Sequence, residues 1–346
     1  MKRPLFFASL FAALGWILSG ATLIVSAQTS DPALATERGL QYFREKLDAG
    51  VLPGDGAFKN HAAISALVGM AFLSNGSTPY DGPDAKYVRM CLLALKKQVR
   101  DNGLIASEGV SEQSMMYAHG FALTFFAECY GMCHTQSELS NTIGDAELRG
   151  IIEKGIELIV AAQNQDGGWR YSVVPKDEDV SVSACLLVAL RACRNAGIDA
   201  PAETVERGID YLLQCQNPDG GFRYRLAEGP SAYPRSAAVV AALCAAGEYE
   251  TEPVQKALRY LDKFPAGAYP TSDGYYFYAQ YYAVQAYRLC ATNEAWSAWY
   301  ATAAEELCRT QRSNGAWSSA ISIDYATASA IIVLTAPKNF LPVFER

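Results

Sequence analysis

The stretch QNQDGGWRY, which begins at Gln163, returns almost unchanged as QNPDGGFRY at Gln216, 53 positions later. A Gln, a turn built on Asp-Gly-Gly and an aromatic residue, repeated at that distance, mark a supersecondary unit copied along the chain. Asp-Gly and Asn-Gly turns need a positive φ, which glycine adopts without a Cβ clash. Four further turns extend the series: Gly54-Asp55-Gly56, Asp101-Asn102-Gly103, Gly267 and Asn314-Gly315. With Gly56, Gly103, Gly167, Gly220, Gly267 and Gly315 as markers, the steps are 47, 64, 53, 47 and 48 residues. The long step holds an insertion around residues 135–150.

Between the turns the apolar residues fall at helical spacing. IIEKGIELIVAAQ, from Ile151, places Ile152, Gly155, Ile156, Ile159 and Val160 on one face. VSACLLVALRAC, from Val182, is apolar nearly all round, as a helix with neighbours on several sides should be. Each unit therefore reads helix, glycine turn, loop, helix. A helical hairpin cannot bury its own apolar face, so six of them must stack, as an open solenoid or a closed ring. A solenoid needs polar caps, whereas the last unit, TASAIIVLTAP, stays apolar to its end. The sequence thus predicts an all-α chain, a single (α/α)6 toroid of six helical hairpins over residues 28–346. The second helix of each hairpin should form the inner wall. The repeated Gln should bond loop backbone, and Trp169, Phe222 and Trp317 should fold back onto their helix pairs.

Residues 1–27 read as a signal peptide: Lys2 and Arg3, an apolar run from Leu5 to Val25, then small residues to Ala27. An uncleaved anchor is the alternative for a run of this length. The signal peptide predicts a periplasmic or secreted location. Cleavage removes Lys2 and Arg3 and no acid, taking the net charge from −7 to −9. An acidic chain without a Lys/Arg cluster is a poor phosphate binder, and nucleic acid is not an expected partner. The nine cysteines are odd in number and lack a C-x-x-C. Cys91, Cys185, Cys244 and Cys290 sit singly in apolar helical runs and read as small buried hydrophobes. Cys129 and Cys133 with His134 supply too few donors for a metal site, so neither metal nor cofactor is expected.

QNQDGGW, QNPDGGF and QRSNGAW resemble the repeats of squalene–hopene cyclases, oxidosqualene cyclases and protein prenyltransferase β-subunits. MMYAHGFALTFFAECYGM, from Met115, DVSVSACLLVALRACRNAGI, from Asp179, and the ending FLPVFER are similar to a group of exported bacterial proteins carrying this repeat. The resemblance implies the α/α toroid strongly and an activity weakly, because one fold hosts many functions.

The catalytic sets of these families are incomplete here. The prenyltransferase zinc segment D-G-C-Y becomes Asp273-Gly274-Tyr275-Tyr276, and where its histidine would follow the chain has Ser322-Ile323-Asp324-Tyr325. The cyclase motif D-x-D-D-T-A becomes Asp177-Glu178-Asp179-Val180-Ser181-Val182, with an apolar residue in the third carboxyl position. Asp179 also fits an N-cap. Glycan chemistry would need two carboxyls, or a base beside a cation. For an enzyme the candidates are Asp177, Asp179, His119 and Arg235, with Arg235 opposite Asp179 as a partly desolvated pair. Both His61 and His119 also fit as ligands of loop backbone.

DGYYFYAQYYAVQAY, from Asp273, is dense in tyrosine, with Tyr278, Tyr281, Tyr282 and Tyr275 on one helical face. Buried tyrosine needs a hydroxyl partner, so the run predicts a ligand-accepting cavity. The expected ligand-binding set is His61, Tyr117, Tyr275, Tyr276, Tyr278, Tyr281, Tyr282, Asp324 and Tyr325. The sequence reading favours a non-catalytic protein holding a small hydrophobic or aromatic-stacking ligand, isoprenoid, lipid or glycan. A cyclase-like or glycan-active enzyme and a scaffold for a protein partner are the alternatives.

Overall fold

The computed structural model describes residues 30–132, 143–264 and 274–345. The signal sequence, the Gly267 turn, Cys133, His134 and Asp273 lie outside the described residues.

Among the described residues twelve α-helices alternate between an outer and an inner layer. The outer layer is α1 (Pro32–Asp48), α3 (Ala85–Lys96), α5 (Asp145–Ala162), α7 (Ala202–Gln214), α9 (Glu252–Leu261) and α11 (Asn293–Thr310). The inner layer is α2 (Ala62–Ser74), α4 (Met115–Cys129), α6 (Val180–Asn195), α8 (Tyr233–Ala245), α10 (Tyr276–Cys290) and α12 (Ile323–Thr335). Among the described residues no β-strand forms, only isolated bridges between Val99 and Ile105 and between Gln216 and Phe222. Each inner helix packs on the next, and α12 packs on α2, so the inner six form a closed ring. The pattern of burial matches the pattern of hydropathy. Every residue of α2 is buried, whereas α9 buries one face through Val254, Ala257, Leu258 and Leu261.

The repeated Gln-turn-aromatic motif is a clamp between neighbouring units. Gln163 Nε2 donates to Gly167 O at 2.8 Å in its own turn and to Thr204 O at 2.9 Å on α7. Gln216 Nε2 does the same to Gly220 O and Pro253 O, at 3.0 and 2.8 Å. Gln311 Nε2 does it to Gly315 O and Ala35 O, both at 2.8 Å, joining the last turn to the first helix. Trp169 and Trp317 fold back as expected, each indole N–H donating to a helix carbonyl, Ile159 O at 2.7 Å and Leu307 O at 2.8 Å. A hydroxyl on the following inner helix receives each aromatic residue's backbone N–H: Ser183 for Trp169, Ser236 for Phe222 and Thr327 for Trp317. Glycine is required twice over in these turns. Gly167 has φ +89°, and a Cβ there would lie 2.3 Å from Arg207 O; Gly315 has φ +86° and the same 2.3 Å approach to Arg38 O.

Ring closure has a second, ionic component. Asp324, fully buried near the start of α12, accepts from Lys46 Nζ at 2.5 Å, Tyr42 Oη at 2.8 Å and Gly54 N at 2.6 Å. It ties the last unit to α1 and the first turn. The cysteine reading needs one correction. Cys244 on α8 and Cys290 on α10 are joined as a disulfide, with Cα atoms 6.5 Å apart. Two single cysteines in apolar runs 46 residues apart face each other because α8 and α10 are ring neighbours, which spacing along one helix does not reveal.

Candidate functional site

The starts of the six inner helices surround one cavity of about 610 Å³. His61, Ile64 and Leu67 come from the first unit, Tyr117 and Phe121 from the second, and Ser181 from the third. Pro234 and Arg235 come from α8, Tyr275 and Tyr278 from the start of α10, and Ile321 and Tyr325 from α12. Two loop tyrosines, Tyr171 and Tyr224, complete the wall. Convergence of residues so distant in sequence follows from ring closure, which repeats the helix-start position around one axis. Among the described residues the wall contains no Asp or Glu, and its one charged residue is Arg235.

Of the residues singled out from the sequence, His61, Tyr117, Arg235, Tyr275, Tyr278 and Tyr325 line this cavity. The others stand elsewhere, each for an identifiable reason. His119 is fully buried between elements: Ile105 N donates to its Nδ1 at 3.1 Å, so its Nε2 carries the proton donated to Gly155 O, also at 3.1 Å. Burial lowers its pKa to about 4. It is a loop clamp and is not a base facing the cavity. Asp324 holds Lys46 rather than a ligand. Tyr276 is buried against Phe277. Tyr281 and Tyr282 pack within the wall, Tyr281 edge-on against Phe121 at 5.4 Å and Tyr282 against Tyr278 at 4.9 Å. Asp177 sits at the surface between Arg170 and Arg225, at 3.6 and 3.4 Å.

Asp179 caps α6. Its Oδ1 accepts from Ser181 N at 2.9 Å and Val182 N at 3.0 Å. The expected partner Arg235 is engaged otherwise, donating from Nε to Phe222 O at 2.8 Å and from Nη2 to Pro230 O at 2.5 Å. The cation acting on Asp179 is Arg170. Arg235 follows Pro234 in the first turn of α8, and that turn carries its guanidinium to loop carbonyls instead of across the ring. Burial raises the Asp179 pKa to about 6, although the two backbone N–H bonds pull the other way.

Sequence reasoning missed Tyr171 and Tyr224. Tyr224 Oη donates to Asp179 Oδ2 at 3.3 Å and lies 2.5 Å from Tyr171 Oη. A hydrogen-bonded chain thus runs from the cavity wall to the buried carboxyl. The signal was present: both tyrosines follow the turn aromatic by two residues, in Trp169-Arg170-Tyr171 and Phe222-Arg223-Tyr224. Tyr117 and Tyr278 meet edge-on with centroids 6.5 Å apart, and burial raises both phenol pKa values well above the usual value. Among the described residues, no three His, Cys, Asp or Glu side chains gather into a metal site, and no helix is long and apolar enough to cross a membrane.

No family profile matches the chain. A 73-residue stretch is 30% identical to drimenyl diphosphate synthase of Streptomyces showdoensis and covers 21% of this chain and 13% of that protein. A 116-residue stretch is 30% identical to lanosterol synthase of Candida albicans and covers 29% of this chain and 15% of that protein. The chain therefore matches only a small part of these relatives. Among solved structures, a variant of the type II terpene cyclase MstE from Scytonema, in complex with geranylgeranyl dihydroxybenzoate, superimposes with a TM-score of 0.58 at 16% identity. That match covers 90% of this chain and 98% of the other. Another variant, in complex with merosterolic acid A, gives the same TM-score and identity. A protein from Actinoplanes matches with a TM-score of 0.55 at 16% identity. The chain has the α/α-toroid fold of the terpenoid cyclases.

Proposed function

We propose that this chain is an exported toroid of the terpenoid-cyclase type that binds a hydrophobic, isoprenoid-class ligand in its central cavity. The observation carrying this reading is the cavity itself. Its volume of about 610 Å³ falls within the roughly 300–1,000 Å³ of small-molecule sites. Its wall is built from aliphatic side chains and five tyrosines: Tyr117, Tyr171, Tyr224, Tyr278 and Tyr325, with Tyr275 at the rim. Among the described residues no carboxyl lines the cavity, so they do not supply the two carboxyls that glycan hydrolysis sets across the scissile bond. The fold neighbours include a cyclase bound to a geranylgeranyl compound, which is consistent with an isoprenoid guest. Export is supported by the Lys2-Arg3 start and the apolar run to Val25. The Cys244–Cys290 disulfide suits an oxidising compartment. Native mass spectrometry of protein purified from its own envelope tests the binding reading. A retained isoprenoid or lipid supports it, and a cavity that stays empty under the same conditions counts against it.

One observation favours a second, catalytic reading. Asp179 lies one phenol behind the wall, connected to it through Tyr224 and Tyr171. Alkene protonation, however, takes an unusually strong carboxylic acid, and burial makes Asp179 weaker, near pKa 6. Val180 also occupies the position of the motif's third carboxyl. Incubation with squalene and with geranylgeranyl substrates, followed by product analysis of wild type and Asp179→Asn, decides between the readings. A cyclised product that disappears in the variant would establish the enzyme.

A further inference from the structure

His61 stands apart from the other polar groups around the ring. It is the residue preceding α2, the position from which Asp179 and Ser322 cap α6 and α12 with their side chains. His61 does not cap. The Ala62 N–H goes to Ser107 Oγ at 2.9 Å, and the imidazole makes no capping bond. The ring is 6% exposed, rests edge-on against Phe58 at 5.4 Å and lines the central cavity. Neither Nδ1 nor Nε2 has a hydrogen-bond partner among the described residues. His119, the other histidine of the described structure, has both nitrogens engaged. A buried polar group left without a partner is costly, and one that faces a cavity is a group that a ligand can complete.

We propose that His61 is the polar anchor of the cavity and that it selects an isoprenoid alcohol, holding the hydroxyl while the aromatic and aliphatic wall covers the chain. The inference rests on the isoprenoid-site reading above and adds the head group to it. The chemistry of the imidazole sets the choice. Burial keeps it neutral at pH 7, lowering its pKa to about 4, so it offers one N–H donor and one lone-pair acceptor. A hydroxyl both donates and accepts, so it can answer either nitrogen, the lone pair or the N–H, though not both at once because they point apart on the ring. A hydrocarbon answers neither. A diphosphate needs several cations, whereas the one charged residue of the wall among the described residues, Arg235, already donates to the Phe222 and Pro230 carbonyls.

The test compares three C20 probes by equilibrium binding to the full chain: geranylgeraniol, its 1-deoxy hydrocarbon and geranylgeranyl diphosphate. Wild type should bind the alcohol about tenfold more tightly than the hydrocarbon, the ratio expected when one buried polar group becomes satisfied. His61→Leu should lose that factor for the alcohol and leave hydrocarbon affinity nearly unchanged. His61→Gln, which keeps a donor and an acceptor, should retain most of the preference. A hydrocarbon that binds wild type as tightly as the alcohol, or a diphosphate that binds tightest, overturns the assignment while leaving the isoprenoid site standing. Equal weakening of alcohol and hydrocarbon in His61→Leu also overturns it, reducing the ring to packing. If none of the three binds wild type, the site reading fails and this inference with it. Should His61→Leu not fold, the wild-type ranking and His61→Gln decide.

Discussion

Gln311 and Ala35 lie 276 positions apart, and the Gln311 Nε2 to Ala35 O bond of 2.8 Å joins the end of the ring to its beginning. The same side chain bonds Gly315 O, as Gln163 and Gln216 bond their own turns. In a closed ring no clamp is terminal, so Gln311→Leu should cost as much as Gln163→Leu, about 1–2 kcal/mol in each case. Urea unfolding of both variants measures this. A negligible cost for Gln311→Leu beside a real one for Gln163→Leu would mean that the last unit frays like the end of a solenoid.

Lys46 and Asp324 close the same seam. Asp324 is fully buried, and Lys46 is the cation beside it. Lys46→Met should therefore strand a buried charge and destabilise by about 3–5 kcal/mol, towards the lower end because Tyr42 and Gly54 N still donate. Lys46→Met combined with Asp324→Asn should recover much of the loss, since the uncompensated charge is gone. Thermal melts of the single and double variants give the comparison. A double variant no more stable than the single one would show that the charge is not the cause.

The toroid was legible because its period is long and its turns are chemically demanding. Gly167 and Gly315 need both positive φ and room beside a neighbouring carbonyl, so their spacing gave the number of hairpins. The inner wall was legible from helices apolar all round. Part of the site was legible too, since Tyr117, Tyr278, Tyr325 and His61 occupy helix starts that a ring brings together. What hydropathy could not resolve was the direction of polar side chains once buried. His119 and His61 look alike in sequence, yet one spans Ile105 and Gly155 and the other faces the cavity. Asp324 likewise went to Lys46, 278 positions away, and Arg235 to carbonyls of the loop before its own helix, neither of which hydropathy encodes.

Glu128 gives a pH dependence that can be isolated. It is buried at the end of α4, and burial pushes its carboxyl up to about 8, against a weaker opposing pull from the Val343 backbone. With a folded pKa above the ordinary value of 4.5, the folded state holds the proton more tightly than the unfolded state. The resulting stability is full below about pH 4.5 and is lost as pH rises through about 8. His61 and His119, both lowered to about 4, act in the opposite sense on the acid side, but equally in wild type and variant. Glu128→Gln should therefore melt near the wild-type temperature at pH 5 and on the order of 5 °C higher at pH 8.5. A melting difference that does not change with pH would show that Glu128 is not the titrating group.

Trp169 and Tyr278 separate the clamp from the cavity. Trp169 is fully buried in the turn and donates to Ile159 O, so Trp169→Ala should cost about 3–5 kcal/mol. Its effect on ligand affinity should be small in whatever fraction remains folded. Tyr278 lines the cavity, meets Tyr117 edge-on at 6.5 Å and is only half-buried. Tyr278→Ala should remove part of the surface that covers the ligand and weaken geranylgeraniol binding by about tenfold, for a loss of stability of about 1–2 kcal/mol. Melting temperature and affinity measured on both variants give four numbers with opposed expectations. If Tyr278→Ala unfolds the protein as readily as Trp169→Ala, the tyrosines at the mouth are core packing, and the cavity loses its main claim to be a binding site.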